Sequence, residues 1–348
     1  MDPHAYEPIG RLPDTAEPSL SSAHPEADPR VVICIPVFND WQATGQLIDR
    51  LDEVAASLPD PILVVLVDDG STSRPSEIVA REPRALEGVC LLTLRRNVGH
   101  QRAIALGLAF ICERIACREV LVMDGDGEDP PEAVPKLLRQ SRQCSSPAIV
   151  FAKRGKRNEP YWFRMGYQAY RLVHYVLTGR TVDVGNFSVI PFPLLRRLMS
   201  VSELWNHYAA AVFHARLPVE TVPVDRGQRL GGQSHMNLVS LVVHGLSAIS
   251  VFGDTVGVRI LVVLGLLMLL LTGGLGAVVY IRIFTAAAIP GWATTAAGIL
   301  AVLLMNLFSL AMMFVLFVTQ SRSHAQFLPV RDWQYFVDSD RWLYARCV

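Results

Sequence analysis

Charged residues are missing from two long stretches of this chain. Between Arg259 and Arg282, and again between Arg282 and Arg322, there is no Lys, Arg, Asp or Glu. That excludes a purely soluble single domain. Net charge is missing too: 32 Lys+Arg balance 32 Asp+Glu, whereas a generic nucleic-acid binder carries a basic excess. The six cysteines (Cys34, Cys90, Cys112, Cys117, Cys144, Cys347) form no Cys-x-x-Cys pair and have no His at zinc-finger spacing. Most of these thiols sit in apolar runs, which suits a reducing compartment for the soluble part. The first residues lack a basic stretch followed by an apolar one, so no cleaved secretory signal is expected.

What is present falls into two parts. The first 250 residues mix polar and apolar side chains, which excludes a polytopic channel. Within them, residues 1–29 are rich in Pro, Ser, Asp and Glu and read as a disordered tail. From Arg30 onward, short apolar runs alternate with stretches of helical spacing. Val31–Ile35, Ile62–Val67, Val89–Leu94 and Val120–Met123 read as buried strands, while Trp41–Ala55 and Ala103–Ile115 read as helices. This alternation predicts an α/β domain over 30–236 with a mostly parallel sheet covered by helices on both faces. In such sheets ligands bind beyond the carboxyl ends of the strands.

Three of those strand ends are polar or acidic. Pro36-Val37-Phe38-Asn39-Asp40 follows the first, Asp68-Asp69-Gly70-Ser71-Thr72 the second, and Asp124-Gly125-Asp126-Gly127-Glu128-Asp129 the fourth. Carboxylates at one sheet edge repel one another unless a cation or a ligand's donors relieve the charge. Asp124 and Asp126, spaced i, i+2 with glycine between, can approach one hard divalent cation. Mg²⁺ keeps few protein carboxylates and takes its other ligands from water and phosphate. The pair therefore suits a metal–diphosphate complex, although a solvated Asp/Gly turn has the same composition.

Together, Val31–Asp40, Val67–Thr72, Arg96-Asn97-Val98-Gly99-His100-Gln101 and Val122–Asp126 with Asp129-Pro130-Pro131-Glu132 resemble family 2 glycosyltransferases. The order and spacing are most similar to those of the polyprenyl-phosphate group, which includes dolichol-phosphate mannose synthase and bacterial undecaprenyl-phosphate sugar transferases. The resemblance implies a GT-A fold, a UDP- or GDP-sugar donor, Mg²⁺ or Mn²⁺, and inversion at the anomeric carbon. It places Pro36, Phe38 and Asp69 on the nucleoside, with Asp68 buttressing that turn. Arg96, His100 and Gln101 fall in the loop beside the nucleotide, and Asp124 and Asp126 on the metal-bound diphosphate. Arg226-Gly227-Gln228-Arg229-Leu230-Gly231-Gly232-Gln233-Ser234-His235 matches the family's acceptor segment. Arg226, Arg229, Ser234 and His235 are thus the expected partners of the acceptor phosphate, with His235 where the family carries Lys. In Asp183-Val184-Gly185-Asn186-Phe187, Asn186 occupies the slot of a proposed acidic base. Asp183 is then the candidate base. The loss is tolerable because a phosphate monoester, with a second pKa near ~6, is already largely ionised at neutral pH.

Lys153–Arg171 holds six basic residues against one Glu, interleaved with Tyr and Trp. That composition fits a membrane surface, and equally a charged helix face with core aromatics. Residues 237–256 read as an amphipathic helix lying on the bilayer. Within 257–320, Ile260–Ile281 and Ala297–Val318 each satisfy the ~20 residues needed to span. Basic residues flank the outer ends, so the catalytic domain and both termini are expected in the cytoplasm. Residues 321–348 then form a cytoplasmic tail whose aromatics suggest an interfacial or docking segment. The expected partners are a nucleotide sugar, polyprenyl phosphate and the lipid bilayer, with no nucleic acid; self-association is left open. Two alternatives remain: transfer to another lipid or a glycan, and a non-catalytic membrane scaffold that keeps the fold.

Overall fold

The computed structural model describes residues 28–73, 82–154, 161–180, 184–231, 238–285, 291–323 and 327–346. Its sheet has eight strands: β1 (Val31–Val37), β2 (Ile62–Asp68), β3 (Gly88–Leu94), β4 (Glu119–Val122), β5 (Ile149–Arg154), β6 (Ser188–Pro191), β7 (Val219–Val224) and β8 (Val337–Ala345). The spatial order is β7-β5-β6-β4-β1-β2-β3-β8. The four central strands are parallel, with Val37 of β1 beside Asp68 of β2 and Cys34 beside Val122 of β4. Every residue of β1 and β2 is buried, as expected of parallel strands covered on both faces. Val31, Ile33, Ile35 and Val37 share a core with Leu47 and Leu51 of helix α1 (Trp41–Ala55) and with Leu137 and Leu138 of α3 (Val134–Gln143). By alternation, Val32 and Cys34 face the opposite side, and α2 (His100–Arg114) packs against β1 and β2.

This register brings the acidic loops to one edge. Asp69 N donates to Val37 O at 2.9 Å and Met123 N to Cys34 O at 3.2 Å, so the segments after β1, β2 and β4 emerge side by side. The sheet is mixed at its flanks, where β6 and β8 run antiparallel to their neighbours.

The chain divides into two compact units that are not consecutive in sequence. One comprises Met1–Arg157, Asp183–His235 and Leu328–Val348; the other comprises Asn158–Val182 and Met236–Phe327. Two differences from the expected boundaries follow. The stretch around α4 (Tyr161–Thr178), read as part of the 30–236 domain, belongs with the long apolar helices. Its Leu172, Val173, Tyr175 and Val176 are exposed, so it does not carry the buried face a sheet helix needs. The 321–348 segment, read as a tail, ends in a strand of the sheet. After α10 (Pro329–Asp332), the nine-residue β8 pairs antiparallel with β3 through seven residue pairs. Trp333 anchors that return: it is 3 % exposed, lies 5.6 Å from the Phe110 ring, and has the Arg114 guanidinium 5.9 Å from its centroid.

In the second unit, α7 (Leu238–Ser250) precedes two helices of 32 residues each, α8 (Gly253–Phe284) and α9 (Trp292–Ser323), which pack against each other. At 1.5 Å per residue each measures about 48 Å, longer than the ~30 Å hydrocarbon layer. Both are long and apolar enough to cross a membrane.

Candidate active site

Asn39, in the left-handed region at φ 55°, ties the first two loops together; asparagine tolerates that conformation because its short side chain bonds locally. Its Oδ1 accepts from the Thr72 and Ser73 amides at 2.9 and 3.1 Å. Asp68 accepts from the Ser71 amide at 2.9 Å. Asp69, 3 % exposed, accepts from the Val98 amide at 2.7 Å and the Gly99 amide at 2.9 Å. Burial pushes its carboxyl above the usual range, against the pull of those two amides and of His100. Asp69 therefore holds the 96–99 loop against the sheet edge. Of the other residues expected at the nucleoside, Phe38 is half exposed at this edge, Pro36 is buried in β1, and Arg96 extends into solvent.

The Arg96–Gln101 segment turns into α2, and its last two residues point to different work. His100 Nε2 lies 3.1 Å from Asp124 Oδ1 and 3.0 Å from Asn186 Nδ2. The side chain is 44 % exposed, and although the surrounding protein opposes protonation of the ring, the charges of Asp124, Asp126 and Asp69 outweigh it and raise its pKa. Gln101, 8 % exposed, donates to Asn186 Oδ1 at 3.1 Å and accepts from the Tyr208 amide at 2.7 Å, at the start of α6 (Tyr208–His214). Both ends of its amide are used inside the protein, so it is a strut. Asn186 completes the line by donating to Asp124 Oδ1 at 3.3 Å. Sequence reading singled out Asn186 only as the loss of an acid; it is a hub joining Asp124, His100 and Gln101.

The loop after β4 carries the acidic pair. Asp129, 1 % exposed, accepts from the Asp124 amide at 3.0 Å and closes the loop. Asp126 Oδ1 accepts from the Glu128 amide at 2.9 Å. Burial pushes the Asp126 carboxyl up; the Glu128 amide and Arg229 pull it down, and the charges of Asp124 and Glu128 add to the rise. Among the described residues no three His, Cys, Asp or Glu side chains gather into a metal cage. Asp124 and Asp126 supply oxygen donors only, the donor type a hard divalent ion takes when other oxygen ligands complete its shell.

Residues 226–231 lie across this loop. Gly227 N donates to Glu128 O and Leu230 N to Asp126 O, each at 2.9 Å. Gly127 has φ 81°, and a Cβ there would overlap the Leu230 side chain, so glycine lets the two segments meet. Arg226 pairs with Glu128, and Arg229 Nη1 lies 3.2 Å from Asp126 Oδ2. Of the two expected acceptor arginines, Arg229 thus stands beside an expected metal carboxylate, and Arg226 beside Glu128 in the same loop. Asp183, Ser234 and His235 lie outside the described residues.

The family model described as "Glycosyl transferase family 2" matches residues 32–205. Among curated proteins, the chain is 24 % identical over 272 residues to "Uncharacterized glycosyltransferase YkcC" of Bacillus subtilis (strain 168), covering 75 % of this chain and 80 % of the relative. It is 30 % identical over 251 residues to undecaprenyl-phosphate 4-deoxy-4-formamido-L-arabinose transferase of Edwardsiella ictaluri (strain 93-146), covering 65 % and 72 %. Among solved structures, glucosyl-3-phosphoglycerate synthase from Mycobacterium tuberculosis with Mn²⁺, UDP-Glc and phosphoglyceric acid aligns at TM-score 0.48 and 15 % identity, over 67 % of this chain and 82 % of that one. The mannosyltransferase PcManGT from Pyrobaculum calidifontis, with GDP-Man and Mn²⁺, aligns at TM-score 0.41 and 15 % identity, over 84 % and 85 %.

Proposed function

Since the chain belongs to glycosyl transferase family 2 and its sheet is that of a GT-A domain, we propose that it moves a sugar from a nucleotide-sugar donor to a membrane polyprenyl phosphate, with inversion at the anomeric carbon. One observation carries this reading: Asp124 and Asp126 share the ligand-binding edge of the sheet with Arg226 and Arg229, which lie on the segment folded over them. Carboxylates suited to a cation and cations suited to a phosphate are what a diphosphate donor and a phosphate acceptor require together. The curated relative named as an undecaprenyl-phosphate transferase supports the acceptor class.

Asp124 and Asp126 would hold a divalent cation, Mg²⁺ or Mn²⁺. When bound, that ion stabilises the charge developing on the departing nucleoside diphosphate. Asn186 and Asp129 fix the acidic loop through Asp124. Exposed Phe38 and Arg96 would meet the nucleotide, with Asp69 and Asp68 holding their loops and Pro36 in the strand beneath. Arg226 and Arg229, with Ser234 and His235 in the same segment, would orient the acceptor phosphate. That nucleophile is already anionic and gains more from orientation than from a base, so Asp183 has at most a supporting role. A processive polysaccharide synthase is disfavoured: its Gln-x-x-Arg-Trp motif is incomplete at Arg341-Trp342, and that pair lies in β8 at the far edge of the sheet.

The long-chain acceptor accounts for the apolar helices, which we read as a transmembrane hairpin with the catalytic unit in the cytoplasm. Membranes containing the protein, incubated with a panel of radiolabelled UDP- and GDP-sugars and polyprenyl phosphate, should yield a labelled, acid-labile lipid. Asp126→Ala should yield essentially none. Wild-type product from Asp126→Ala would refute the assignment of the carboxylate pair.

A further inference from the structure

The acidic pair and the arginine pair are not independent. Asp126 has both oxygens engaged: Oδ1 by the Glu128 amide at 2.9 Å and Oδ2 by Arg229 Nη1 at 3.2 Å. A carboxylate oxygen that faces a guanidinium cannot also take a hard dication without setting two positive charges side by side. Oδ1 keeps a second lone pair beside the Glu128 amide, but a dication bound there still meets the Arg229 guanidinium across the same carboxylate. The Glu128 amide is part of the turn itself. Arg229 is a long side chain with other acceptors in reach, Gly231 O at 3.0 Å from its Nε and Asp40 Oδ2 at 3.9 Å from its Nη2. The segment need not undock for the side chain to swing, because its backbone is held separately by the Gly227 and Leu230 amides.

We propose that Arg229 is the resident counter-ion of Asp126 in the metal-free protein, and that the divalent cation evicts it toward the acceptor phosphate. This rests on reading Asp124 and Asp126 as the cation ligands. Arg229 lowers the affinity of the empty site for free metal, so the site favours a cation that arrives with its diphosphate. Once released, its directed N–H donors are free for a phosphate oxygen. Metal binding thereby prepares the acceptor site, and by linkage an acceptor phosphate that draws Arg229 away tightens the metal by the same factor. Arg226 on Glu128 repeats the arrangement two residues along the loop.

The test uses the full chain in detergent and Mn²⁺ alone, followed by electron paramagnetic resonance of the free ion. Arg229→Gln should bind Mn²⁺ about fivefold more tightly than wild type, the scale of one partly exposed ion pair. Arg229→Lys, which keeps the charge, should stay near wild type, and Asp126→Asn should bind far more weakly. Equal affinity in wild type and Arg229→Gln, with loss in Asp126→Asn, would overturn this inference and leave the metal site standing. Undiminished binding in Asp126→Asn would overturn both. Thermal melts without metal report whether each variant is folded, and Mn²⁺ should raise the Tm of Arg229→Gln by more than that of wild type.

Discussion

Asn186 receives and gives at one point: its carbonyl oxygen takes the Gln101 amide, and its own amide faces Asp124 and His100. Removing it frees Asp124 to turn and leaves buried Gln101 with an unpaired donor. We expect Asn186→Ala to lower sugar transfer roughly 10- to 100-fold, since a displacement near 1 Å at a reacting centre costs about that much. The Tm should fall by far less than for a core truncation, and equal loss of fold and activity would show that the residue only supports packing. Asp52 offers a stability counterpart far from the site. It accepts the Arg84, Ala85 and Leu86 amides at 2.9, 2.8 and 2.9 Å, fixing the approach to β3. Burial pushes its carboxyl up, but those three donors and the charge of Arg346 outweigh it, and its pKa lies below the ordinary value. A depressed pKa contributes stability that is complete above the unfolded value near ~4 and is lost as pH falls through the folded one. Asp52→Ala should therefore cost about 1–2 kcal/mol at neutral pH, and its gap in Tm from wild type should narrow below about pH 4.

At the scale of elements, the end of α4 depends on α8. Arg259 Nη1 donates to Val176 O at 2.5 Å and reaches Tyr175 O at 3.4 Å, capping the last carbonyls of the helix. Gly179, at φ 74°, bonds back to Tyr175 O, and a Cβ there would sit 2.6 Å from Arg259 Nη2. Gly179→Ala should destabilise the full chain by about 1–2 kcal/mol through the left-handed backbone and the displaced cap, read as a lower Tm in detergent. An unchanged Tm would mean that the cap is dispensable. Sequence alone gave Arg259 a different meaning, a charge flanking a span, because a helix cap between residues some eighty positions apart has no local pattern. The same limit explains the rest. Strands β1 to β4, and the place of Asp124 and Asp126 at the sheet edge, were legible because central parallel strands are continuous apolar runs and their ends carry the polar residues. β8 was not: it opens on the exposed polar stretch Val337-Asp338-Ser339-Asp340-Arg341, and its one apolar run, Trp342–Ala345, is only four residues long. The Asn186 hub and the Arg229–Asp126 pair were also invisible, since they join segments 62 to 103 positions apart.

For the molecule as a whole, β8 restricts how the chain can meet a membrane. The chain leaves the sheet at β7, runs through α8 and α9, and returns to pair with β3. Strand pairing within one sheet requires β7 and β8 to lie on the same side of any bilayer, so α8 and α9 cross as a pair or not at all. On the function proposed above, that side is the cytoplasm, as the positive-inside tendency leads one to expect. Site-directed labelling can test both statements, because three of the native thiols give little background. Cys34 and Cys90 are buried with their pKa pushed up to about 12, and burial drives Cys117 up as well; a thiol held protonated reacts slowly. Cys112 and Cys144 are only partly buried. In a Cys112→Ser, Cys144→Ser, Cys347→Ser background, a membrane-impermeant maleimide applied to intact cells should modify Thr285→Cys, at the end of α8. It should modify Ser339→Cys, exposed on β8, only after the membrane is opened. Labelling of both from outside, or of both only after opening, would exclude a spanning hairpin. The reverse pattern would keep the hairpin and place the catalytic unit outside, away from any cytoplasmic pool of nucleotide sugar.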